Sequence, residues 1–176
     1  LPGREVHHEA ELGIIIGKRG RDVRREDWKD YVFGYACLMD MVVRGREERV
    51  FRKAYDTFCP VGPWITTADE VSDPANLSMK LWVNDELRQS ANTKDLVLDI
   101  PGMIEMAASV MTLEPGDIIA TGTPAGVGQI VDGDIVRIRI DELGEMRMKV
   151  VQGKSGRSVV FENPYVPDIK KQPLIA

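Results

Sequence analysis

The amino-acid sequence predicts a mainly β fold with one clear helix. Short runs of alternating or β-branched residues recur along the chain, and clusters of Gly, Pro, Asn and Asp separate them. Helical spacing begins near Ile100, where Pro101 suits a first helical turn. The apolar stripe of this helix is Met103, Ile104, Ala107, Ala108 and Met111. The 176 residues suit a single domain that buries a substantial core.

Composition and charge exclude several functional classes. The hydrophobic content of 43% and the charged content of 29% are ordinary for a globular protein. The formal charge of −5 gives no reason to expect nucleic acid or an anionic membrane as a partner. Cys37 and Cys59 lack C-x-x-C spacing, and no apolar run approaches the ~18 residues of a membrane span. We therefore expect a cytoplasmic protein with no nucleic-acid or membrane partner.

The first predicted strand runs from His7 to Ile16 and carries Glu9 and Glu11 near its start. Residues i and i+2 of a strand point to the same face, so these two carboxylates converge. Converging anions repel unless a cation lies between them, and Mg²⁺, Mn²⁺ and Ca²⁺ prefer oxygen ligands. The same spacing also fits two glutamates on the wet face of an amphipathic strand, so both interpretations remain open.

A second apolar run, from Phe33 to Val43, predicts a strand that is buried on both faces. A short helical segment from Glu26 to Val32 is expected to precede it. Asp40 interrupts the apolar run. A bare carboxylate in a low dielectric costs several kcal/mol, so Asp40 must be paired, hydrogen-bonded or bound to a metal.

The charged segment from Arg44 to Lys53 follows directly. We predict a solvated loop for most of it. Its position after Asp40 makes Arg44 and Lys53 the candidates for a cationic rim around an anionic substrate, because arginine can bind a carboxylate through two parallel hydrogen bonds.

The remaining elements are predicted to be short. They are strands at Trp64–Thr67, Ile118–Ala120, Ile135–Ile140 and Met146–Val151, and a hairpin of Leu77–Val83 with Glu86–Gln89. A Gly-rich loop from Thr121 to Gly128 brings backbone N–H groups and Thr hydroxyls to the end of a strand, where they suit an oxyanion. This loop lacks the P-loop lysine and the G-x-G-x-x-G pattern, which excludes both nucleotide motifs.

In this order the motifs resemble the fumarylacetoacetate hydrolase family, nearest its 2-hydroxyhepta-2,4-diene-1,7-dioate isomerase and acylpyruvate hydrolase-like branch. The matching blocks are His8–Leu12, Gly34–Tyr35 before Asp40, Lys53–Phe58, Gly62–Trp64, Leu113–Asp117 and Thr121–Pro124. The resemblance covers about residues 5–151. It implies a mixed β-roll or β-sandwich with a few short helices, usually a homodimer. Residues 1–176 are then one catalytic domain, with residues 152–176 as a peripheral tail.

The resemblance also implies a metal site and a substrate site. The implied ligands of a Mg²⁺ or Mn²⁺ ion are Glu9, Glu11 and Asp40. Lys53 and Thr123 are implied as catalytic residues that stabilise an enolate and hold the substrate carboxylate. The implied substrate contacts are Arg44, Gly122 and Thr123. A 2-oxo acid can chelate the ion through its keto oxygen and one carboxylate oxygen, so that the ion acts as a Lewis acid.

The implied activity is hydrolysis of a C–C bond in a 2-oxo acid of the acylpyruvate or fumarylacetoacetate type, through a metal-bound enolate, in aromatic-compound catabolism. The first alternative is isomerisation or decarboxylation of 2-hydroxyhepta-2,4-dienedioate-like diacids, because the same enolate serves both reactions. The second is a protein of this fold that binds a metal or a 2-oxo acid without turnover. The expected partner is a small 2-oxo or 2-hydroxy-dienoic carboxylate.

Four features depart from the common family pattern. Met39, Gly45 and Glu47 stand where the family frequently has Asn, Asp and Gln, which affects the shape of the substrate pocket. The family's general base is a His with a Glu partner on a lid helix before the first strand, and this segment is absent from the sequence. We expect the base upstream of Leu1. His7 and His8 match the strand lead-in and are expected to face solvent or to pack.

Overall fold

Residues 3–153 are described in the computed structural model, and they confirm the mainly β fold class. The strands are β1 (Val6–His8), β2 (Ala10–Ile16), β3 (Val32–Met39), β4 (Val42–Val43), β5 (Val61–Thr67), β6 (Ser78–Val83), β7 (Glu86–Asn92), β8 (Ile118–Ala120), β9 (Gly128–Ile130), β10 (Ile135–Ile140) and β11 (Gly144–Lys149). The α-helices are α1 (Arg49–Lys53) and α2 (Ile100–Val110), and 3₁₀ turns lie at Arg25–Tyr31, Ala68–Glu70 and Thr93–Asp95. Most of the expected tail, residues 154–176, lies outside the described residues.

The described strands form three sheets in which every pairing is antiparallel. The strand orders are β5-β3-β2-β8, β11-β10-β6-β7 and β4-β1-β9. All of β2 and all of β3 except Phe33 are buried, as their nearly continuous apolar sequences predict. The core joins these two strands to the inward faces of β6 and β10 and to the apolar face of α2.

The predicted strand from His7 to Ile16 is wrong in one respect, because it is two strands that belong to different sheets. β1 pairs with β4 and β9, whereas β2 pairs with β3 and β8. The chain changes sheets at Glu9, between β1 and β2. The paired segment makes the same change at Asp40 and Met41, between β3 and β4. The backbone N–H of Asp40 donates to the carbonyl oxygen of Glu9 at 2.9 Å. This bond places two acidic residues side by side at the crossing point.

The charged segment after Asp40 is only partly the loop that the sequence predicts. Its last five residues form α1, whose side chains are exposed or half-buried. The guanidinium of Arg52 donates to the backbone carbonyl oxygen of Glu47 at 2.8 Å, which folds the segment back on itself. Because α1 ends at Lys53, the helix aims that residue toward the sheet crossing.

The hairpin between β6 and β7 is confirmed. Asn84 and Asp85 both have positive φ angles, 49° and 68°, as a two-residue turn that matches strand twist requires. β7 continues to Asn92, beyond the predicted end at Gln89. The strand β9, which pairs with β1 at the end of the Gly-rich loop, was not predicted from the sequence pattern. The helix α2 begins as predicted, and the side chain of Asp99 caps it by accepting from the N–H of Gly102 at 3.1 Å.

An ion pair joins the start of the chain to the segment before α1. The guanidinium of Arg4 donates to both carboxylate oxygens of Glu47, at 3.0 and 2.8 Å, and the side chain of Glu47 is 7% exposed. A Cβ atom at Gly45 would overlap the charged ends of both side chains, so Arg4 and Glu47 would have to shift if this residue were larger. The hydrogen bond from Arg4 lowers the pKa of Glu47 from its ordinary value of 4.5. None of the helices in the described part of the chain is long and apolar enough to cross a membrane.

The Gly-rich loop generates one prediction about stability. Gly126 has a φ of +97°, and a Cβ atom there would overlap the carbonyl oxygen of Arg88. Gly133 has a φ of +92° but has no atom within 4 Å of such a Cβ. We expect Gly126→Ala to lower the free energy of unfolding by about 3 kcal/mol and Gly133→Ala by about 1 kcal/mol, as urea denaturation will measure. Equal losses would contradict the close approach of this loop to β7.

The Arg4 pair predicts a pH-dependent contribution to stability. Since the folded-state pKa of Glu47 is depressed, the stabilisation is present above the unfolded-state pKa and is lost as pH falls through the folded-state value. Glu47→Gln should lower the free energy of unfolding by about 1 kcal/mol at neutral pH and by less at about pH 3. The exposed Glu86→Gln is the control, and we expect little change from it. A pH-independent loss at Glu47 would contradict the ion pair.

Candidate functional site

Three carboxylates meet where the chain changes sheets. Glu9, Glu11 and Asp40 each direct a carboxylate oxygen to one point, and these oxygens lie within 4.8 Å of one another. Glu9 lies between β1 and β2, Glu11 lies on β2, and Asp40 follows β3. The structure therefore brings together the three acidic residues that the sequence singles out. Among residues 3–153, they form the one group of three or more acidic, His or Cys side chains with metal-ligand spacing.

Glu11 is the most buried of the three, with 3% of its surface exposed. Burial raises its pKa to about 7, while a hydrogen bond from the backbone N–H of Gly122 opposes this rise and the nearby charge of Asp40 adds to it. The Gly122 N–H lies 2.7 Å from the Glu11 carboxylate. The carboxylate of Glu11 is thus only partly compensated by the surrounding protein.

Lys53 supplies the local positive charge. Its ammonium donates to the carboxylate of Glu9 at 2.8 Å and also to that of Asp40. Partial burial lowers the pKa of Lys53, but its hydrogen bonds to Asp40 and Glu9 outweigh burial and raise the pKa above its ordinary value. When all four groups are ionised, three carboxylates and one ammonium leave two negative charges.

This donor set fits a hard divalent cation. Carboxylate oxygens are the ligands that Mg²⁺, Mn²⁺ and Ca²⁺ take, and the two surplus negative charges match one dication. Octahedral ligands at about 2.1 Å lie about 3.0 Å apart when adjacent and about 4.2 Å apart when opposite, so oxygens within 4.8 Å of one another would move closer together around an ion. Thiol and imidazole ligands, which softer metals favour, are missing from this group of residues.

A cationic cavity of about 450 Å³ adjoins the carboxylates. Its lining is Glu9, Val42, Arg44, Arg49, Arg52 and Lys53. The structure places Arg44 and Lys53 at the rim that the sequence predicts, and it adds Arg49, which sequence reasoning left to solvent. The side chains of Arg44 and Arg49 have no ion-pair partner in the described part of the chain. The cavity can therefore accept an anionic group beside the carboxylate cluster.

The Gly-rich loop is held against β2 at successive residues. The hydroxyl of Thr121 accepts from the N–H of Leu12 at 3.2 Å and donates to its carbonyl oxygen at 3.1 Å. Gly122 donates to Glu11, as described above. The hydroxyl of Thr123 accepts from the side-chain amide of Gln89 at 2.8 Å. Thr123 therefore lies next to the residue that contacts Glu11, although the structure records no direct contact between Thr123 and the carboxylates.

A second cavity, of about 610 Å³, is lined in part by this loop. Its wall is mainly apolar and includes residues of α2 and β8 together with the loop from Thr121 to Pro124. The loop thus borders an apolar cavity and also contacts the carboxylate cluster through the N–H of Gly122.

Sequence reasoning missed the contacts of Gln89 and the partner of Glu47. Gln89 contacts Thr123, but one glutamine at the end of a predicted hairpin carries no sequence signal for such a contact. Glu47, which stands where the family often has a substrate-binding Gln, is occupied by Arg4. Because Arg4 binds this carboxylate, Glu47 is not left free to contact a substrate.

Neither histidine contacts the carboxylate cluster. His8 is fully buried, and its Nδ1 lies 3.0 Å from the side-chain oxygen of Gln89. Burial lowers the pKa of His8 below its ordinary value. His7 is 15% exposed and lies 3.0 Å from Glu5. His8 therefore packs in the interior, as expected, and His7 is closer to buried than to solvent-facing.

Comparison with known proteins identifies the family. The family described as Fumarylacetoacetate (FAA) hydrolase C-terminal matches residues 2–151. A maleylpyruvate hydrolase from Aquipseudomonas alcaligenes is 48% identical over 147 residues, which cover 84% of this chain and 51% of that protein. A 4-hydroxyphenylacetate degradation bifunctional isomerase/decarboxylase from Salmonella dublin is 42% identical over 151 residues, covering 83% of this chain and 35% of that protein.

Among solved structures, the maleylpyruvate hydrolase from Sphingobium sp. SYK-6 in complex with manganese(II) and pyruvate is 77% identical, with a TM-score of 0.84. The match covers 88% of this chain and 57% of that one, so the chain spans little more than half of these hydrolases. The family match extends over most of the chain, and it includes the carboxylate cluster, Lys53 and the Gly-rich loop. The chain belongs to the fumarylacetoacetate hydrolase family.

Proposed function

We propose that this protein is a divalent-metal-dependent hydrolase that cleaves a C–C bond in a 2-oxo acid of the acylpyruvate type. The observation that carries the proposal is the cluster of Glu9, Glu11 and Asp40 with Lys53 against it. Identity of 48% to one maleylpyruvate hydrolase and 77% to another supports this substrate class. The wider setting of such a reaction is the breakdown of aromatic compounds.

Glu9, Glu11 and Asp40 would hold the metal ion. Mn²⁺ and Mg²⁺ are the first candidates, because the related hydrolase carries manganese and the site offers only carboxylate oxygens, and Ca²⁺ is the third. A bound ion would act as a Lewis acid toward the keto and carboxylate oxygens of a 2-oxo acid. Two negative charges remain on the cluster after Lys53 is counted, so the protein binds a dication without a large excess of charge.

Lys53 and the Gly-rich loop would act on the substrate itself. The ammonium of Lys53 would stabilise the negative charge that develops on the keto oxygen as the C–C bond breaks and an enolate leaves. The N–H of Gly122 is already donated to Glu11, so Gly122 orients that carboxylate and contributes to the substrate site by its backbone position. The hydroxyl of Thr123 would donate to the substrate carboxylate.

Arg44 would bind the far end of the substrate. Its guanidinium lines the cationic cavity with Lys53 and has no ion-pair partner in the described part of the chain. A guanidinium can bind a carboxylate through two parallel hydrogen bonds, which favours substrates with a second acidic group. Hydrolysis also requires a base for the attacking water, and we assign this role to neither His7 nor His8, because both are engaged elsewhere.

An isomerase or decarboxylase acting on 2-hydroxyhepta-2,4-dienedioate-like diacids is the second candidate. Identity of 42% to a bifunctional isomerase/decarboxylase favours it, and so does the dianionic substrate that the cationic cavity suits. Both reactions use an enolate, so the residues proposed above would serve either one. The fate of that enolate distinguishes the two candidates.

We also propose that the protein is a cytoplasmic homodimer. In the described sheets β5 is an edge strand, and exposed apolar side chains lie on or beside it, namely Phe33, Trp64 and Ile65, which are 50%, 58% and 45% exposed. An exposed apolar patch at a sheet edge supports association with a second copy. The described part of the chain contains no candidate membrane-spanning helix.

Glu11 provides the test of the metal site. Glu11→Gln keeps the shape of the side chain and an acceptor for Gly122 but removes the charge, so we expect the affinity for Mn²⁺ to fall more than about 100-fold by calorimetry. Glu114→Gln is the matched control, because Glu114 is exposed and pairs only at the surface with Arg19. Unchanged Mn²⁺ affinity in Glu11→Gln would remove this cluster as the metal site.

The reaction is tested by incubating the full-length, Mn²⁺-loaded protein with acylpyruvates and with 2-hydroxyhepta-2,4-dienedioate. We expect release of pyruvate from an acylpyruvate, and Lys53→Met should lower kcat by about 100-fold while Mn²⁺ binding is retained, because the three carboxylates remain. Lys80→Met, at an exposed position on β6, is the control and should retain full turnover. Isomerised diacid or released CO₂ without pyruvate would establish the second candidate. Equal turnover in Lys53→Met would exclude Lys53 from the mechanism.

A further inference from the structure

We propose that Gln89 is a positioning residue of this site. Its side-chain amide would fix the Gly-rich loop at a set distance from Glu9 and Glu11 and would leave the hydroxyl of Thr123 as a donor toward the substrate. The inference rests on the proposed function, since it gives Thr123 a substrate to bind. It adds a residue that lies on β7, outside the carboxylate cluster and the loop.

Gln89 is 1% exposed, and its amide uses its full hydrogen-bonding capacity. The side-chain oxygen accepts from the backbone N–H of Ala10 at 3.0 Å and lies 3.0 Å from Nδ1 of His8. The side-chain nitrogen donates to the hydroxyl of Thr123 at 2.8 Å and to the carbonyl oxygen of Pro124 at 3.0 Å. Two acceptor positions and two donor positions therefore each meet one partner.

The orientation of this amide is determined by two of its partners. The N–H of Ala10 can only donate, and the carbonyl oxygen of Pro124 can only accept. A rotation of the amide by 180° would place its nitrogen against a donor and its oxygen against an acceptor. Because Ala10 is fully buried, the mismatch at its N–H alone would cost about 1–3 kcal/mol. The side-chain oxygen of Gln89 therefore faces β2, and its nitrogen faces the loop.

This orientation fixes the proton on His8. The oxygen of Gln89 can only accept, so the 3.0 Å contact requires a proton on Nδ1 of His8. In the neutral ring Nε2 then carries a lone pair, and this buried atom has no hydrogen-bond partner within the described part of the chain. The tautomer of His8 thus reports on the orientation of the Gln89 amide, without reference to any substrate.

The same orientation fixes the role of the Thr123 hydroxyl. Because its oxygen accepts from Gln89, its proton is left to point elsewhere. The backbone N–H of Gly122, the preceding residue, donates to the carboxylate of Glu11. The hydroxyl of Thr123 is therefore available as a hydrogen-bond donor in the segment that contacts the carboxylate cluster, and an anionic oxygen is the partner that such a donor favours.

Gln89 also joins the two chain segments that form the site. Ala10 lies between Glu9 and Glu11, so its N–H bond to Gln89 holds the backbone that carries both carboxylates. The bonds to Thr123 and Pro124 hold the loop at the other end of the same side chain. The close approach of Gly126 to the carbonyl oxygen of Arg88 adds a second, backbone contact between β7 and this loop.

The first experiment determines the tautomer of His8 by the ¹⁵N chemical shifts of its ring nitrogens in the full chain loaded with Mg²⁺, at about pH 8, where the ring is neutral. We expect protonated Nδ1 and unprotonated Nε2 in the wild type. Gln89→Leu should shift the ring toward the other tautomer, and Ser90→Ala, at an exposed position on the same strand, should not. Protonated Nε2 in the wild type would overturn the proposal even if Gln89→Leu did not fold.

The second experiment measures the affinity of the Mn²⁺-loaded protein for pyruvate by calorimetry. Thr123→Val and Gln89→Leu should each weaken pyruvate binding about tenfold, and the double variant should also weaken it about tenfold, because both changes remove one effect. Thr123→Ser keeps the hydroxyl and should bind pyruvate as the wild type does. If the Thr123 hydroxyl made only a structural contact, its loss in Thr123→Val would leave the pyruvate affinity unchanged.

The outcomes separate the two proposals. A 100-fold loss in the double variant, or Thr123→Ser binding as weakly as Thr123→Val, would overturn the positioning role while the wild type still binds Mn²⁺ and pyruvate. A wild type that binds neither would overturn the proposed function together with this inference. In that case the tautomer of His8 would still be as expected, because it depends on the Gln89 amide and not on a substrate. The expected tautomer together with no binding of Mn²⁺ or pyruvate therefore identifies a failure of the proposed function.

Discussion

The structure depends on the repulsion among three carboxylates that are held within 4.8 Å at a half-buried point. Two unit charges at such distances interact by several kcal/mol where water is partly excluded, so the fold must supply compensation. Lys53 compensates Glu9 and Asp40 from the end of α1, and the N–H of Gly122 compensates Glu11 from the loop after β8. The elements that carry these groups come from distant parts of the chain, and they meet at the carboxylate cluster.

Only part of this site could be predicted from local sequence. The lone aspartate inside an apolar run violates the preference of buried strands for apolar residues, and such a violation marks a site that needs a partner. The spacing of the two glutamates left two interpretations open, and the family resemblance decided between them. Turn chemistry is similarly local, which is why Asn84 and Asp85 identify their hairpin correctly. The Gly-rich loop by itself indicated only a general oxyanion site, and the specific roles of Gly122 and Thr123 came from the resemblance to a family, because glycines at a strand end serve many purposes.

The parts that could not be predicted depend on long-range pairing. The break between β1 and β2 at Glu9 arises because β1 pairs with β4 and β9, which lie far along the chain, and no residue type at Glu9 announces it. Glu47 has the appearance of a free acidic residue until Arg4 is placed against it. The contacts of Gln89 could not be predicted either, because its four hydrogen-bond partners come from β1, β2 and the loop, which are distant in sequence.

The change of sheets at Glu9 constrains how this sequence can vary in length. Side chains on a strand alternate between faces, so a one-residue change of length between β1 and β2 would send Glu11 to the opposite face. A deletion would bring Leu12 into its place, and an insertion would bring Ala10 there. Point substitutions near this junction alter one group at a time, whereas a length change would exchange polar and apolar faces along the whole of β2. Natural variation in this stretch should therefore consist of substitutions, and gaps should fall in exposed turns such as that around Gly133.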